Sequence, residues 1–210
     1  PVAKTLQQER APSRDWNGDG TISFADAAAA PAYGDPATPG MPTLAEMAEA
    51  ALAVLRPAPR GFFLMIEGGA VDWGGHQNQT GRMIEELLDF HDAVQAVCGW
   101  VERHGGWDRT LLLVTADHET GFLQGRAAAG SDATCPPVEA RGAGEMPEGV
   151  WKSKTHTNQL VPLFARGWNA ERFAALTRGR DAAHGAYVDN TDIARVLFET
   201  MAGETGTAVP

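Results

Sequence analysis

Several acidic residues and histidines lie near short apolar runs in the sequence, and their side chains could bind metal ions. The candidate metal ligands are Glu67, Asp72, His76, Asp117, His118 and His156. Asp72 and His76 are four residues apart, so one helical turn would place both side chains on the same face. A carboxylate combined with imidazole is a common donor set for zinc. Each residue alone could be an ordinary loop acid or surface histidine, so the prediction depends on the combination.

The position of these residues relative to predicted strands indicates that they lie together. Glu67 follows the apolar run 62–66, and Asp117 follows the run 111–114 after a short linker. In open α/β sheets ligands bind beyond the carboxyl ends of the strands, and adjacent parallel strands would bring both groups to one edge. The alternatives stay open, because an Asp-His pair can cap a helix and a lone histidine such as His156 is often structural.

A second metal-binding pattern lies near the amino terminus, where residues 15–26 fit the twelve-residue loop of an EF-hand. Its candidate calcium ligands are Asp15, Asn17, Asp19, Thr21, Ser23 and Asp26. Gly20 stands at the sixth position, where such a loop turns sharply. Aspartate replaces the usual bidentate glutamate at the last position, which predicts weaker calcium binding. The alternative is an Asn-Gly-Asp-Gly turn that binds no ion.

The elements that must position these residues alternate between helix and strand. Thr43 and Glu46 have the spacing of a capping box, which predicts a helix that ends before Pro57. Further helices are predicted at 78–104, 169–176 and 190–201, the last capped by Asn190 or Thr191, and apolar runs lie at 62–66, 111–114 and 160–164. The first two runs predict strands that are buried on both faces. This order predicts an α/β fold with a mostly parallel sheet flanked by helices.

Length and composition exclude other classes of protein. The 210 residues fit one domain, which we place at 41–202 between a loop segment, 1–40, and a tail, 203–210. A net charge of -10 argues against a nucleic-acid surface. No apolar run reaches the roughly 18 residues that a membrane span needs. Residues 121–150 are predicted to form a long surface excursion.

Two features bear on how the protein is processed. The sequence starts at Pro1 without a signal-peptide pattern, so we expect a fragment or a processed product. The two cysteines, Cys98 and Cys135, could pair in an oxidising compartment or remain free.

The motifs together resemble the alkaline phosphatase family. The stretches that carry the resemblance are Gly61 to Gly69 followed by Asp72 and His76, Val114 to Gly121, and His156-Thr157. Their order and intervals match the zinc and magnesium ligand signatures of that family. The stretches 42–53 and 185–191 also look like bacterial members, so the resemblance covers about residues 41 to 201.

The resemblance implies a site with two zinc ions and one magnesium ion. In this match Asp72, His76 and His156 correspond to ligands of the first zinc ion. Asp117 and His118 correspond to two ligands of the second.

Glu67 matches a magnesium ligand. The family hydrolyses phosphate monoesters through a phosphoserine intermediate, with two metals that hold the entering and leaving oxygens. Its nucleophilic serine and phosphate-clamping arginine lie upstream of the matched region. Ser13 and Ser23 lack the Asp-Ser-Ala context of that serine, so we assign no catalytic residue here and expect the isolated chain to be an inefficient phosphatase.

Alternative functions stay open. A related phosphodiesterase or sulfatase would use similar zinc ligands, although the intervals from Glu67 to His76 favour a phosphomonoesterase. A non-catalytic metal-binding module is the alternative from another class. Trp73 could face a substrate or be a partly buried structural residue. Because family members are commonly exported and dimeric, the resemblance also implies a periplasmic or secreted protein and a homodimer.

Overall fold

A computed structural model describes residues 18, 20–21, 42–127 and 135–202. In these ranges the helices are α1 Leu44–Leu55, α2 Ala70–His76, α3 Thr80–Arg103, α4 Arg172–Ala175 and α5 Asn190–Met201. The strands are β1 Leu111–Val114, β2 Glu119–Thr120, β3 Leu123–Gln124, β4 Val150–Trp151, β5 His156–Thr157, β6 Phe164–Gly167, β7 Gly179–Asp181 and β8 Gly185–Tyr187. The described residues form two compact units. The first comprises those up to Trp100 and from Glu119 to Asn158, and the second comprises those from Val101 to His118 and from Gln159 onward.

Helix α1 of the first unit begins as the sequence predicts. The Thr43 hydroxyl accepts a hydrogen bond from the Glu46 N–H at 3.2 Å, and the Glu46 carboxylate accepts one from the Thr43 N–H at 2.8 Å. Leu44, Ala48 and Leu52 recur every four residues and are buried. One stripe of the helix therefore packs against the interior.

Helix α3 is the long helix predicted at 78–104. It ends where Gly105 and Gly106 adopt positive φ angles of 134° and 76°. The Gly106 N–H donates to the Val101 carbonyl at 2.9 Å, which satisfies one of the last carbonyl groups of the helix. The glycine pair therefore terminates the helix, as predicted.

The strand pairing differs from the prediction. Strand β1 lies at the predicted run, but it pairs antiparallel with β6, with Leu111 opposite Gly167. The pairs β2–β5, β3–β4 and β7–β8 are also antiparallel, and each described sheet has two strands. The predicted parallel sheet is therefore not found among the described residues. An apolar run indicates a strand but not the direction of its neighbour, and β6 begins only at Phe164, the last residue of its run.

The apolar run 62–66 belongs to neither a helix nor a paired strand in the described part of the chain. Phe63 and Met65 are 56% and 76% exposed, whereas Leu64 and Ile66 are half-buried. Because Phe62 is exposed as well, most side chains of the run face solvent. The prediction of a strand buried on both faces is wrong for these residues.

Several other described features bear on the predictions. The excursion after β2 contains the pair β3–β4 and an isolated bridge between Glu139 and Glu148. Cys98 and Cys135 are both free, so the predicted alternative without a disulfide is the one found. None of the helices that the structure describes has the length and apolar character that crossing a membrane requires.

In the second unit, helix α5 has its predicted bounds but a different cap. Asp189, and not Asn190 or Thr191, is the N-cap residue, and its carboxylate accepts from the Thr191 N–H at 2.9 Å. Asp192 completes the capping box and is buried.

The buried Asp192 carboxylate binds two arginines. Arg178 donates to both of its oxygens, at 2.9 and 2.7 Å, and Arg195 donates at 3.0 Å. The hydrogen bonds from Arg178 lower the pKa of Asp192 below its ordinary value of 3.8. Because the folded state then binds this proton less tightly than the unfolded chain, the carboxylate stabilises the fold above about pH 4. This contribution is lost as the pH falls through the lowered pKa.

We therefore expect Asp192→Asn to lower the urea midpoint of unfolding at pH 7. The difference from wild type should shrink as the pH falls from about 4 through the lowered pKa, because the carboxylate is protonated first in the unfolded chain and then in the folded protein. Asp108→Asn, at an exposed position, is the control and should leave the midpoint unchanged. Urea unfolding of Asp192→Asn that matches wild type at pH 7 would contradict this role.

Candidate metal centre

Asp72 and His76 on α2 come together with His156 on β5. The two histidine Nε2 atoms are 3.1 Å apart. Asp72 Oδ2 lies 3.4 Å from His76 Nε2, and Asp72 Oδ1 lies 3.5 Å from His156 Nε2. Within the described ranges, this is the one set of at least three His, Cys, Asp or Glu side chains whose ligand atoms all lie within 4.8 Å of one another.

The spacing of the two histidine nitrogens and the two carboxylate oxygens of Asp72 fits a zinc ion. Ligand atoms bonded to one tetrahedral zinc at about 2.0–2.1 Å are about 3.3 Å apart. The observed separations of 3.1, 3.4 and 3.5 Å lie close to this value. Three protein ligands also leave one tetrahedral position open, which is the arrangement of catalytic zinc sites. The geometry is therefore chemically suited to a divalent cation.

The orientation of His76 is set by the backbone. Its Nδ1 lies 2.7 Å from the carbonyl oxygen of Lys154. A carbonyl oxygen can only accept, so Nδ1 carries the proton in this hydrogen bond. In a neutral imidazole the lone pair is then on Nε2, the atom that faces Asp72 and His156. The hydrogen bond thus selects the tautomer that can bind a metal.

Two glycines allow α2 to lie close to its neighbours. A Cβ on Gly74 would be 3.0 Å from backbone atoms of Met83 in α3. A Cβ on Gly75 would be 2.9 Å from the carbonyl oxygen of Thr120 in β2. Because β2 pairs with β5, this close packing brings α2 next to the strand that carries His156.

Thr120 is a site residue that the sequence reasoning missed. Its hydroxyl donates a hydrogen bond of 2.5 Å to Asp72 Oδ1, which orients the carboxylate. Its neighbours in the sequence carried no signal for this role, because the contact depends on the approach of α2 to β2. The hydroxyl supports a candidate ligand and is not itself a member of the ligand set.

The other candidate ligands lie outside this set. Glu67 is exposed in the irregular segment that precedes α2. Asp117 and His118 belong to the second unit, where the Asp117 carboxylate lies 3.3 Å from His118 Nε2. Their side chains are 87% and 29% exposed. Metal binding by these three residues stays a prediction.

The predicted calcium loop falls almost entirely outside the described residues. Of residues 15–26 the structure describes Gly18, Gly20 and Thr21, and the two glycines have positive φ angles of 78° and 86°. Calcium binding therefore stays a prediction.

Trp73, which follows Asp72, is half-buried and packs against the fully buried Ala70. These two residues lie three apart on α2, so they share one face of the helix. This contact favours the structural interpretation of the tryptophan.

The sequence of this chain is similar to those of known phosphatases. The alkaline phosphatase family model matches residues 13–147. Streptomycin-6-phosphate phosphatase of Streptomyces griseus is 36% identical over 186 residues, covering 82% of this chain and 40% of that protein. Alkaline phosphatase 4 of Bacillus subtilis strain 168 is 25% identical over 215 residues, covering 76% of this chain and 44% of that protein. The chain spans less than half the length of these relatives.

Solved structures show a similar fold. The alkaline phosphatase from the Antarctic bacterium TAB5 has a TM-score of 0.57 and 25% identity, covering 81% of this chain and 46% of that chain. A variant of TAB5 alkaline phosphatase with magnesium bound in its M3 site has a TM-score of 0.54 and 28% identity, covering 79% of this chain and 45% of that chain. These similarities support the predicted α/β class.

Proposed function

Because the chain belongs to the alkaline phosphatase family, we propose that it forms the metal-binding part of an enzyme that hydrolyses phosphate monoesters. The observation that carries this proposal is the spacing of the Asp72, His76 and His156 ligand atoms, all within 4.8 Å of one another. The donor set, the separations and the tautomer of His76 each fit zinc. Family membership supports phosphate esters as the class of substrate.

In this proposal the three residues hold one zinc ion. A divalent ion bound there supplies Lewis acidity, which stabilises negative charge on phosphate oxygens. The chain contributes orientation: Lys154 holds the His76 ring through its carbonyl, and Thr120 holds Asp72.

We further propose that Asp117 and His118 bind a second zinc ion and that Glu67 binds magnesium. The sequence resemblance supports both assignments, and a structure of a TAB5 variant holds magnesium. Export to the periplasm or the medium, homodimerisation and calcium binding by residues 15–26 remain predictions.

The proposed reaction proceeds through a phosphoserine intermediate, and its nucleophile is not assigned within these 210 residues. Neither Ser13 nor Ser23 has the sequence context of the family's serine. We therefore expect this chain alone to bind zinc but to hydrolyse phosphate esters inefficiently.

A substrate panel tests the reaction class. The protein that contains this chain is expected to hydrolyse p-nitrophenyl phosphate much faster than bis(p-nitrophenyl) phosphate or p-nitrophenyl sulfate. A chelator should abolish this activity, and added zinc should restore it. Streptomycin 6-phosphate belongs in the panel because the relative at 36% identity is named for it.

Each alternative gives a different result in the same panel. Faster turnover of the diester or the sulfate would indicate a related phosphodiesterase or sulfatase and would contradict the assignment as a phosphomonoesterase. Zinc uptake without turnover of any ester by the protein that contains this chain would favour a non-catalytic metal-binding module.

A further inference from the structure

Glu119 is a half-buried acid beside the candidate zinc site, and it is not one of the three clustered ligands. One carboxylate oxygen, Oε2, accepts a hydrogen bond from the Thr157 hydroxyl. The other, Oε1, accepts one from the Phe122 N–H at 2.6 Å. Both oxygens are therefore engaged by groups outside the ligand set.

The contact between Glu119 and Thr157 affects the orientation of His156. Glu119 and Thr157 are directly opposite each other in the β2–β5 pair, and Thr157 immediately follows His156. Successive side chains of a strand point to opposite faces, so fixing Thr157 on one face also fixes the direction of His156 on the other. This anchor matters because the His156 side chain is 51% exposed.

The contact with Phe122 holds the turn between β2 and β3. Gly121 and Phe122 have positive φ angles of 89° and 47°. For a bulky residue such as phenylalanine this conformation is unfavourable, so it requires support from the surroundings. The hydrogen bond from its N–H to Glu119 provides such support.

The same turn is connected to His76 through backbone hydrogen bonds. The Gly121 carbonyl accepts hydrogen bonds from the N–H groups of Lys152 and Ser153, at 3.2 and 3.0 Å. The next residue, Lys154, presents its carbonyl to His76 Nδ1. The conformation of the turn therefore determines where the partner of His76 lies.

From these contacts we infer that Glu119 is a positioning residue of the zinc site. It fixes both strand β5, which carries His156, and the turn that places the Lys154 carbonyl beside His76. Partners that orient metal ligands without touching the metal typically change metal affinity about ten-fold to a hundred-fold when they are removed. The inference rests on the zinc site proposed above.

The experiment compares zinc affinity in variants of this chain by competition with a chromophoric chelator. Glu119→Ala is expected to weaken zinc binding about ten-fold or more. Glu119→Gln should stay close to wild type, because its amide can accept from Phe122 and donate to the Thr157 hydroxyl, which can also accept. Thr157→Val removes one of the two contacts of Glu119, so its zinc affinity should lie between those of Glu119→Ala and Glu119→Gln. Glu145→Ala, at an exposed acid of the same unit, is the matched control.

Cobalt absorption and unfolding separate positioning from a structural role. With Co²⁺ in place of zinc, the visible bands of Glu119→Ala should shift or change intensity, while those of Glu119→Gln match wild type. A Glu119→Ala chain with a lower urea midpoint but unchanged zinc affinity and cobalt spectrum would overturn the inference and leave the zinc site intact. A wild-type chain that takes up no zinc would overturn the zinc site and this inference with it.

Discussion

Replacing His76 with alanine is expected to weaken zinc binding on the order of a hundred-fold. Structural zinc sites with four ligands have apparent binding free energies of about 10–16 kcal/mol, so one ligand accounts for about 3 kcal/mol. That loss corresponds to roughly two powers of ten in affinity. His156→Ala should behave similarly, because both Nε2 atoms face the same point.

The control for these variants is His91→Ala, at an exposed position of α3. It removes an imidazole without removing a proposed ligand, so zinc affinity should not change. Chelator competition measures the affinities, and circular dichroism checks that each variant is folded. The ligand assignment is wrong if folded His76→Ala and His156→Ala chains both bind zinc as tightly as wild type.

The second large effect is expected at Gly121, where an added methyl group meets two obstacles. Its φ of +89° disfavours any residue with a Cβ, and a Cβ there would lie 2.5 Å from the Trp151 ring and 2.7 Å from the Gly75 carbonyl oxygen. Left-handed strain costs about 1–2 kcal/mol, and overpacking typically costs about 1–3 kcal/mol more. Gly121→Ala should therefore lower the free energy of unfolding by about 2–5 kcal/mol.

Gly144→Ala isolates the backbone contribution to this loss. Gly144 has a similar φ of +82°, and a Cβ there would meet nothing within 4 Å. This variant should lose only the strain of about 1–2 kcal/mol. Because the contacts of Gly121 involve the packing of α2 beside β2, Gly121→Ala should also weaken zinc binding, whereas Gly144→Ala should not. Equal urea midpoints for the two variants would show that the packing at Gly121 has no energetic effect.

The sequence indicates the proximity of Asp72 and His76 more directly than it indicates the pairing of the strands. Asp72 and His76 are four residues apart on one helix, so their proximity is local and follows from helical geometry. Glycines, prolines and capping residues likewise mark the ends of α1 and α3 in the sequence itself. These features depend on neighbouring residues and not on distant partners.

Strand direction and supporting contacts could not be predicted in the same way. The run at β1 has an antiparallel partner 50 or more residues away, and nothing in its own pattern specifies that partner. The hydrogen bonds of Glu119 and Thr120 depend on the pairing of β2 with β5 and on the approach of α2 to β2. The cap of α5 was misassigned because Asp189, Asn190 and Thr191 are adjacent and all can accept from the helix.

Anomalous diffraction at the zinc edge, from crystals of the zinc-loaded protein that contains this chain, tests the central assignment most directly. We expect an anomalous peak about 2.0–2.2 Å from His76 Nε2, His156 Nε2 and a carboxylate oxygen of Asp72. Bound zinc at other residues, with no peak between these three side chains, would contradict the assignment.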